Sequence, residues 1–393
     1  MAAGRRVREM PTPGAGPLAG LRVLEMGAMG AAPFCATLLA DWGADVLRID
    51  RPPSDLARAI AQAPFDVLRR SRRSACIDLK SGDGVAATLR LAAGADALIE
   101  SFRPGVMERL GLGPDACLAV NPRLVYGRIT GWGQTGPRAP AAGHDINYIA
   151  LAGVLGAIGE PDRKPVPPLN LVGDFGGGAV LAAGMLAALW ESSRTARGQV
   201  VDSAMLDSGA LLMGWILGER AAGRWRDQRG TNEVDGGRPY FTTYRTHDGK
   251  YLSVGPIEPK FFADMCRRLG HDELARIDHL DPAGWPALGR RLTEIFLTRS
   301  RDDWCAIFEG SDACVTPVLD LAEVDQDPHN AARGVFVAVA GVTQPAPTPR
   351  FSRTPSADPT PPPAAGTQTD EALAAWGFGP EEIARLRAIG AIV

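Results

Sequence analysis

Histidine and cysteine are both scarce, five and six residues among 393. The cysteines (Cys35, Cys76, Cys117, Cys266, Cys305 and Cys314) lie far apart, with no C-x-x-C pair. That spacing excludes a zinc ribbon or a disulfide framework and points to a reduced, cytoplasmic setting. So few ligands lead to no expected metal site. An excess of one charge is missing too: 42 Lys and Arg stand against 45 Asp and Glu, a net charge of −3, which argues against a nucleic-acid partner. The longest uncharged apolar stretch, Ala179 to Trp190, falls short of the ~20 residues a membrane helix needs, so no membrane insertion is expected. Met1 to Met10 carries Arg5, Arg6 and Arg8 without an apolar run behind it and reads as a ragged end, not a secretory leader. With no HExxH, GxSxG or phosphate-binding Walker loop, zinc proteolysis, serine hydrolysis and ATP hydrolysis have no support.

Glycine and proline are abundant, 46 and 32 residues, as expected of alternating strands and helices joined by tight connections. Leu21–Met26 reads as a buried strand, Ala31–Trp42 as a helix and Ala44–Asp50 as a second strand, together a βαβ unit. Ser74–Leu79, Ala97–Glu100 and Leu124–Ile129 continue the strands, with a helix over Gly84–Gly94. His144–Gly156 and Gly176–Glu191 read as helices. Tyr240–Tyr244 and Tyr251–Val254 form a hairpin, followed by helical segments over Pro259–Gly310. The expected fold class is α/β. Residues 18–200 form the first part of a large Rossmann-like domain and 201–234 linker helices. Residues 235–331 form a small α+β domain, and 332–393 a returning strap and two closing helices that complete the large one.

Several groups carry possible chemistry. Gly27-x-x-Gly30 between strand and helix, with Asp50 ending the next strand, imitates a dinucleotide fingerprint but lacks its G-x-G opening, and an ordinary tight turn is the better reading. His144 opens one helix, and Asp174 precedes three glycines at the start of another. A histidine and a carboxylate converging on one substrate suit proton transfer on and off carbon; spacing alone leaves open that both merely cap helices. Glu258, between Pro256 and Pro259, either orients an imidazole or caps a helix. The basic residues Arg51, Arg69, Arg70, Arg72, Arg73, Lys80, Arg103 and Arg109 suit phosphate binding or a solvated basic face. Met205, Met213 and Trp215 line an acyl groove or fill a helix core.

Gly43–Pro52, Arg103–Gly111, Gly131–Pro137, Gly143–Tyr148, Pro167–Gly178, Ile257–Pro259 and Ser311–Leu319 follow one another as they do in the family III coenzyme A transferases. The chain resembles that family from Leu18 to about Pro355, and the string Gly143-His144-Asp145-Ile146-Asn147-Tyr148 resembles its racemase branch. The resemblance implies an interlocked homodimer whose substrate is an acyl-CoA thioester. No cofactor is implied, CoA being part of the substrate. It implies that His144 and Asp174 are the acid/base pair on opposite faces of the α-carbon, that Glu258 orients His144 and that Arg109 supports the site. Arg51, Ile77, Asp78, Leu79, Lys80, Gly143, Asp145, Ile146, Asn147 and Tyr148 fall where the family holds CoA. The implied reaction interconverts (2R)- and (2S)-2-methylacyl-CoA through an enolate. The alternative is transfer of CoA between carboxylic acids through an anhydride on Asp174. A nicotinamide-dependent oxidoreductase and a non-catalytic acyl-CoA binder are the more remote alternatives. Two departures, Arg238 in Gly236–Tyr240 and the turn Gly27–Pro33, leave the preferred acyl group open.

Overall fold

The structure is a computed structural model that describes residues 15–393; the Met1–Met10 segment, read as a ragged end, lies outside the described residues. In chain order the elements are β1 (Arg22–Met26), α1 (Ala31–Asp41), β2 (Asp45–Asp50), α2 (Leu56–Gln62), β3 (Arg73–Cys76), α3 (Gly82–Ala93), β4 (Ala97–Glu100), α4 (Val106–Arg109), α5 (Pro114–Val120), β5 (Val125–Thr130), α6 (Asp145–Leu151), α7 (Val154–Ala157), α8 (Gly177–Thr195), β6 (Gln199–Ala204) and α9 (Met205–Leu212). They continue with α10 (Gly214–Ala221), β7 (Thr242–Arg245), β8 (Tyr251–Val254), α11 (Pro259–Leu269), α12 (Trp285–Phe296), α13 (Arg301–Phe308), β9 (Val315–Pro317), α14 (Pro328–Arg333), β10 (Phe336–Val339), β11 (Val342–Pro345), α15 (Thr369–Ala375) and α16 (Pro380–Ala388). The chain separates into two compact units. One takes in the chain up to Ala152, Leu169–Leu211 and His329–Val393; the other Gly153–Pro168 and Leu212–Pro328.

The first unit is built on a parallel sheet of order β3-β2-β1-β4-β5-β6, the doubly wound arrangement read from the alternating pattern. Apart from the edge strand β6, its strands are buried on both faces, so apolar residues point to both sides of the sheet. Leu24, Leu47, Leu98 and Tyr126 face a cluster completed by Leu91, Leu373 and Leu386. Val23, Val46, Ile99 and Val125 face the opposite cluster with Leu39, Leu181 and Met185. The helical run Leu171–Thr195 is long and apolar enough, at 25 residues and mean hydropathy 1.6, to cross a membrane, a length that the Ala179–Trp190 reading missed. In the fold its Leu181, Ala182, Met185 and Ala188 pack into that second cluster. Gly178 permits the close approach, since a Cβ there would sit 2.5 Å from the Ala31 carbonyl oxygen.

Three elements differ from the sequence reading. The strand expected over Ser74–Leu79 stops at Cys76, because the chain end takes over the edge: Ile77 bridges Ile392, and Asp78 N donates to Ala391 O. The helix expected over His144–Gly156 is broken, since Gly153 adopts a left-handed conformation (φ +85°) between α6 and α7. The helix expected from Gly176 begins earlier, as a π-helical turn over Leu171–Gly176.

The second unit holds an antiparallel sheet β7-β8-β9 over a core of Tyr240, Tyr244, Leu252, Phe262, Leu292, Phe296 and Trp304. It takes in Gly153–Pro168 and Leu212–Pro328, so it starts earlier than the expected 235 and ends at Pro328, not 331. The reason for the earlier start is local: Arg229 donates to the Arg163 carbonyl, and Gly230 leaves no room for a Cβ beside Pro161. The linker helices expected over 201–234 are divided, since Gln199–Ala204 is strand β6 of the parallel sheet and α9 stays with the first unit up to Leu211.

Candidate active site

In a parallel sheet, ligands bind outside the carboxyl ends of the strands, at the point where strand order reverses. That point lies here between β1 and β4. The residues just past β1, β2, β4 and β5, namely Gly27, Arg51, Ser101 and Gly131, line one cavity of about 850 Å³ with His144, Asp145, Tyr148, Asn170 and Asp174. Topology thus brings His144 and Asp174, thirty residues apart in sequence, to one cavity.

The π-helical turn presents Asp174. Phe175 N reaches back to Asn170 O (3.3 Å), the spacing that widens the turn. Asn170 Nδ2 donates to Asp174 Oδ2 (3.1 Å), and Asp174 N donates to Asp145 Oδ1 (2.9 Å). Gly173 is required for the latter bond, because its Cβ would stand 2.4 Å from Asp145 Oδ1. Gly30 (φ +75°) leaves the room in which the carboxylate sits, with a Cβ there meeting Asp174 Oδ2 at 3.1 Å. Burial pushes the Asp174 carboxyl above its ordinary range and Asp145 adds to the push, against the Asn170 hydrogen bond and the charge of His144. A proton held by Asp174 is therefore nearer in affinity to one held by an imidazole.

His144 caps α6, its backbone N–H donating to Asn147 Oδ1 (3.0 Å), while its ring stays exposed to the cavity. The loop before it is braced by rings. Trp132 meets Tyr148 edge-on at 4.8 Å, and the Tyr148 hydroxyl donates to Gly143 O. A Cβ on Gly131 would lie 2.0 Å from the Tyr148 ring, so glycine is needed there. Capping and cavity lining, read from the sequence as alternatives for His144, coexist.

Of the residues read as contacts for CoA, Arg51, Gly143, Asp145 and Tyr148 line the cavity; Ile146 and Asn147 are exposed on α6 outside its lining. Ile77, Asp78, Leu79 and Lys80 lie away from it beside the C-terminal tail, and Arg109 ends α4 outside the lining. Glu258 belongs to the second unit. It is the residue before α11, exposed, and near enough to Cys314 to help raise that thiol's pKa, after burial. Three of the arginines read as a phosphate site are structural: Arg70 pairs with Asp41, Arg72 with Glu25 and Arg73 with Asp45, each at 2.6 Å. Arg51, Arg69 and Arg103 remain on the cavity. Asp50 is likewise engaged, accepting from Arg48 Nε and Ser74 Oγ at 2.6 Å each, so the Gly27–Gly30 turn is a tight βα connection whose carboxylate is already bonded. Met205 lines the cavity; Met213 and Trp215 belong to the second unit.

Asn170 and Trp132 were missed as site residues. Asn170 lies four positions before Asp174, a spacing that joins them on one helical turn. Trp132 brings a buried, unpartnered indole N–H to the cavity wall, which no sequence pattern marks. Among the described residues no group of three or more His, Cys, Asp or Glu is placed to hold a metal ion.

Known proteins are similar to this chain over nearly its whole length. The chain is 41% identical over 355 residues to mouse alpha-methylacyl-CoA racemase (90% of this chain, 91% of the relative) and 42% over 363 residues to the human protein of the same name, with the same coverage. A crystal structure of a CaiB/BaiF family protein from Brucella suis superposes with a TM-score of 0.79 at 28% identity, covering 92% of this chain and all of that one. The model of CoA-transferase family III matches residues 18–369. With fold and sequence in agreement over most of its length, the chain belongs to CoA-transferase family III.

Proposed function

We propose that the protein is an isomerase acting on acyl-CoA thioesters, interconverting the two configurations at C2 of a 2-methylacyl-CoA. The observation that carries this reading is the placement of His144 in the same cavity as Asp174. Transfer of CoA through an acyl anhydride needs only the carboxylate, whereas racemisation needs a proton acceptor and a proton donor on opposite faces of one carbon. The racemase relatives, at 41–42% identity, support it.

In this mechanism the thioester carbonyl acidifies the hydrogen at C2. One of His144 and Asp174 removes it, the C–H electron pair moves into a planar enolate, and the other returns a proton to the opposite face. Burial has raised the Asp174 carboxyl, which makes its carboxylate a stronger proton acceptor than an exposed one. Each proton transfer contributes about 10²–10⁴-fold. Hydrogen-bond donors at the enolate oxygen supply the remainder, and the backbone amides opening α1 and α6 are the donors we assign. Arg51, with Arg69 and Arg103 at the same cavity, meets the CoA phosphates, and Ile77–Lys80 meets CoA beyond the cavity. On the same reading the protein acts in the cytoplasm, where its six free thiols persist, and two copies associate so that Glu258 of one orients His144 of the other and Arg109 supports the site. Trp190, Leu212, Trp215 and Leu217, all more than half exposed, are apolar surface that association would cover.

Deuterium wash-in at C2 of a single-enantiomer 2-methylacyl-CoA in D2O tests the assignment. Exchange with loss of optical purity is expected. No exchange, together with an acyl-enzyme trapped by hydroxylamine, would replace it with CoA transfer through Asp174. Sedimentation of the purified protein as a monomer would remove the two-copy element alone.

A further inference from the structure

Beneath the cavity wall lies a charged group that the mechanism does not use. Glu100 ends β4, is fully buried, and makes no contact with the cavity itself. Its Oε2 accepts from Phe102 N (2.7 Å), and its Oε1 accepts from Arg128 Nε (3.0 Å) on the neighbouring strand β5. Arg128 Nη1 then donates to Glu108 Oε1 (2.9 Å) on α4, immediately after the wall segment. Ser101, Phe102, Arg103 and Pro104, which form that wall, are therefore pinned at both ends to one guanidinium. On the far side of Arg128, Asp202 stands opposite it on β6 and accepts from the backbone of Gln134, in the loop that continues the cavity wall past Trp132.

We infer that Glu100 is a positioning residue: through Phe102 N and Arg128 it fixes the Ser101–Pro104 wall and so sets the affinity of the cavity for the CoA thioester. The inference rests on the reaction proposed above for its ligand, not for its geometry. Other buried pairs of the unit, such as Arg72 with Glu25, lack this link, since neither partner bonds to the backbone of a cavity-lining residue. Glu100 differs by one bond, to Phe102.

The network also titrates. Burial pushes the Glu100 carboxyl up to about 7, against Arg128 and Phe102 N, which favour its charged form. The groups facing it are Arg128 and Tyr126 from β5 and Glu108 from α4, with Asp202 beyond Arg128. Burial and Glu100 drive the Tyr126 phenol upward, and Arg128 holds Glu108 down despite partial burial, so neither changes charge near neutrality. As pH falls through about 7, Glu100 gains a proton, its grip on Arg128 weakens and the wall loosens.

The test compares wild type, E100A and E100Q for the Kd of CoA, and the KM and kcat for C2 proton exchange, across neutral pH. Wild-type Kd is expected to rise on acidification through about pH 7. E100Q, permanently neutral, is expected to fold, to show no such step, and to sit at the wild type's acid-side value at every pH. E100A loses both anchors and is expected to raise Kd and KM about tenfold with kcat within about twofold. A folded E100A with wild-type Kd overturns the inference, as does a step near pH 7 that survives in E100Q. If E100A fails to fold, the E100Q profile decides. Absence of proton exchange in the wild type would refute the proposed reaction, while the CoA Kd values still judge this inference.

Discussion

Two regions around the parallel sheet use the same residue types for opposite ends. On the β1–β2–β3 side, acids meet arginines. Glu25 and Arg72 are fully buried against each other, and Arg70 clasps both oxygens of Asp41. Such a carboxylate has its charge neutralised and its geometry fixed. Past β5, the acids meet amides. Asp174 takes one hydrogen bond from Asn170, and Asp145 spends its Oδ1 on the Asp174 backbone. With no guanidinium bonded to it, the desolvated carboxyl of Asp174 rises in pKa and can exchange a proton. The difference is which partner the chain provides: arginines hold Glu25 and Asp41 in place as structural groups, whereas an amide leaves Asp174 a reagent.

Breaking each side should therefore give opposite phenotypes. The largest effect is expected from D174N and H144Q, each lowering C2 exchange turnover about 10²–10⁴-fold while the protein folds normally, as read by deuterium wash-in beside thermal melts. R72M is the mirror experiment. Removing the partner of buried Glu25 should cost about 3–5 kcal/mol in chemical denaturation, with exchange per folded molecule unchanged. A loss of turnover in folded R72M would erase the distinction between the two regions.

A third variant probes how Asp174 is held. G173A places a Cβ 2.4 Å from Asp145 Oδ1 and must displace the π-helical turn; turnover should fall by about 10–100-fold with little change in circular dichroism. The smallest effects concern pH. N170A removes a hydrogen bond that favours the charged form of Asp174, so the acid limb of kcat/KM should move to higher pH. A carboxyl raised by folding contributes stability below its unfolded pKa that is lost as pH rises through its folded value. D174N escapes that loss and should melt above wild type at neutral pH, with the gap closing in acid.

Much of this was legible beforehand, for identifiable reasons. The strand ending at Asp50 and the helix from Ala31 follow from periodicity and from Gly43, which ends that helix by turning the chain (φ +98°). His144 and Asp174 were legible because histidine is rare and because glycines surround the carboxylate. The arginines misled. Arg70, Arg72 and Arg73 look like a phosphate site in sequence, and only folding shows that Asp41, Glu25 and Asp45 take them. The break in the helix after His144 was equally hidden, since Gly153 is tolerated in a helix or reverses the chain according to what packs around it.

The sequence by itself determined the alternation of strand and helix, the family and the two groups of the proposed chemistry, because each is written in local patterns of apolar spacing, glycine and rare residue types. Tertiary structure alone decided which carboxylates are free. Asp41 and Glu25 are as acidic in sequence as Asp174, and what separates them is whether an arginine from the segment leading into β3 arrives within 2.6 Å. That is settled by strand order, which sets the neighbours of a side chain without leaving a trace in the residues on either side of it.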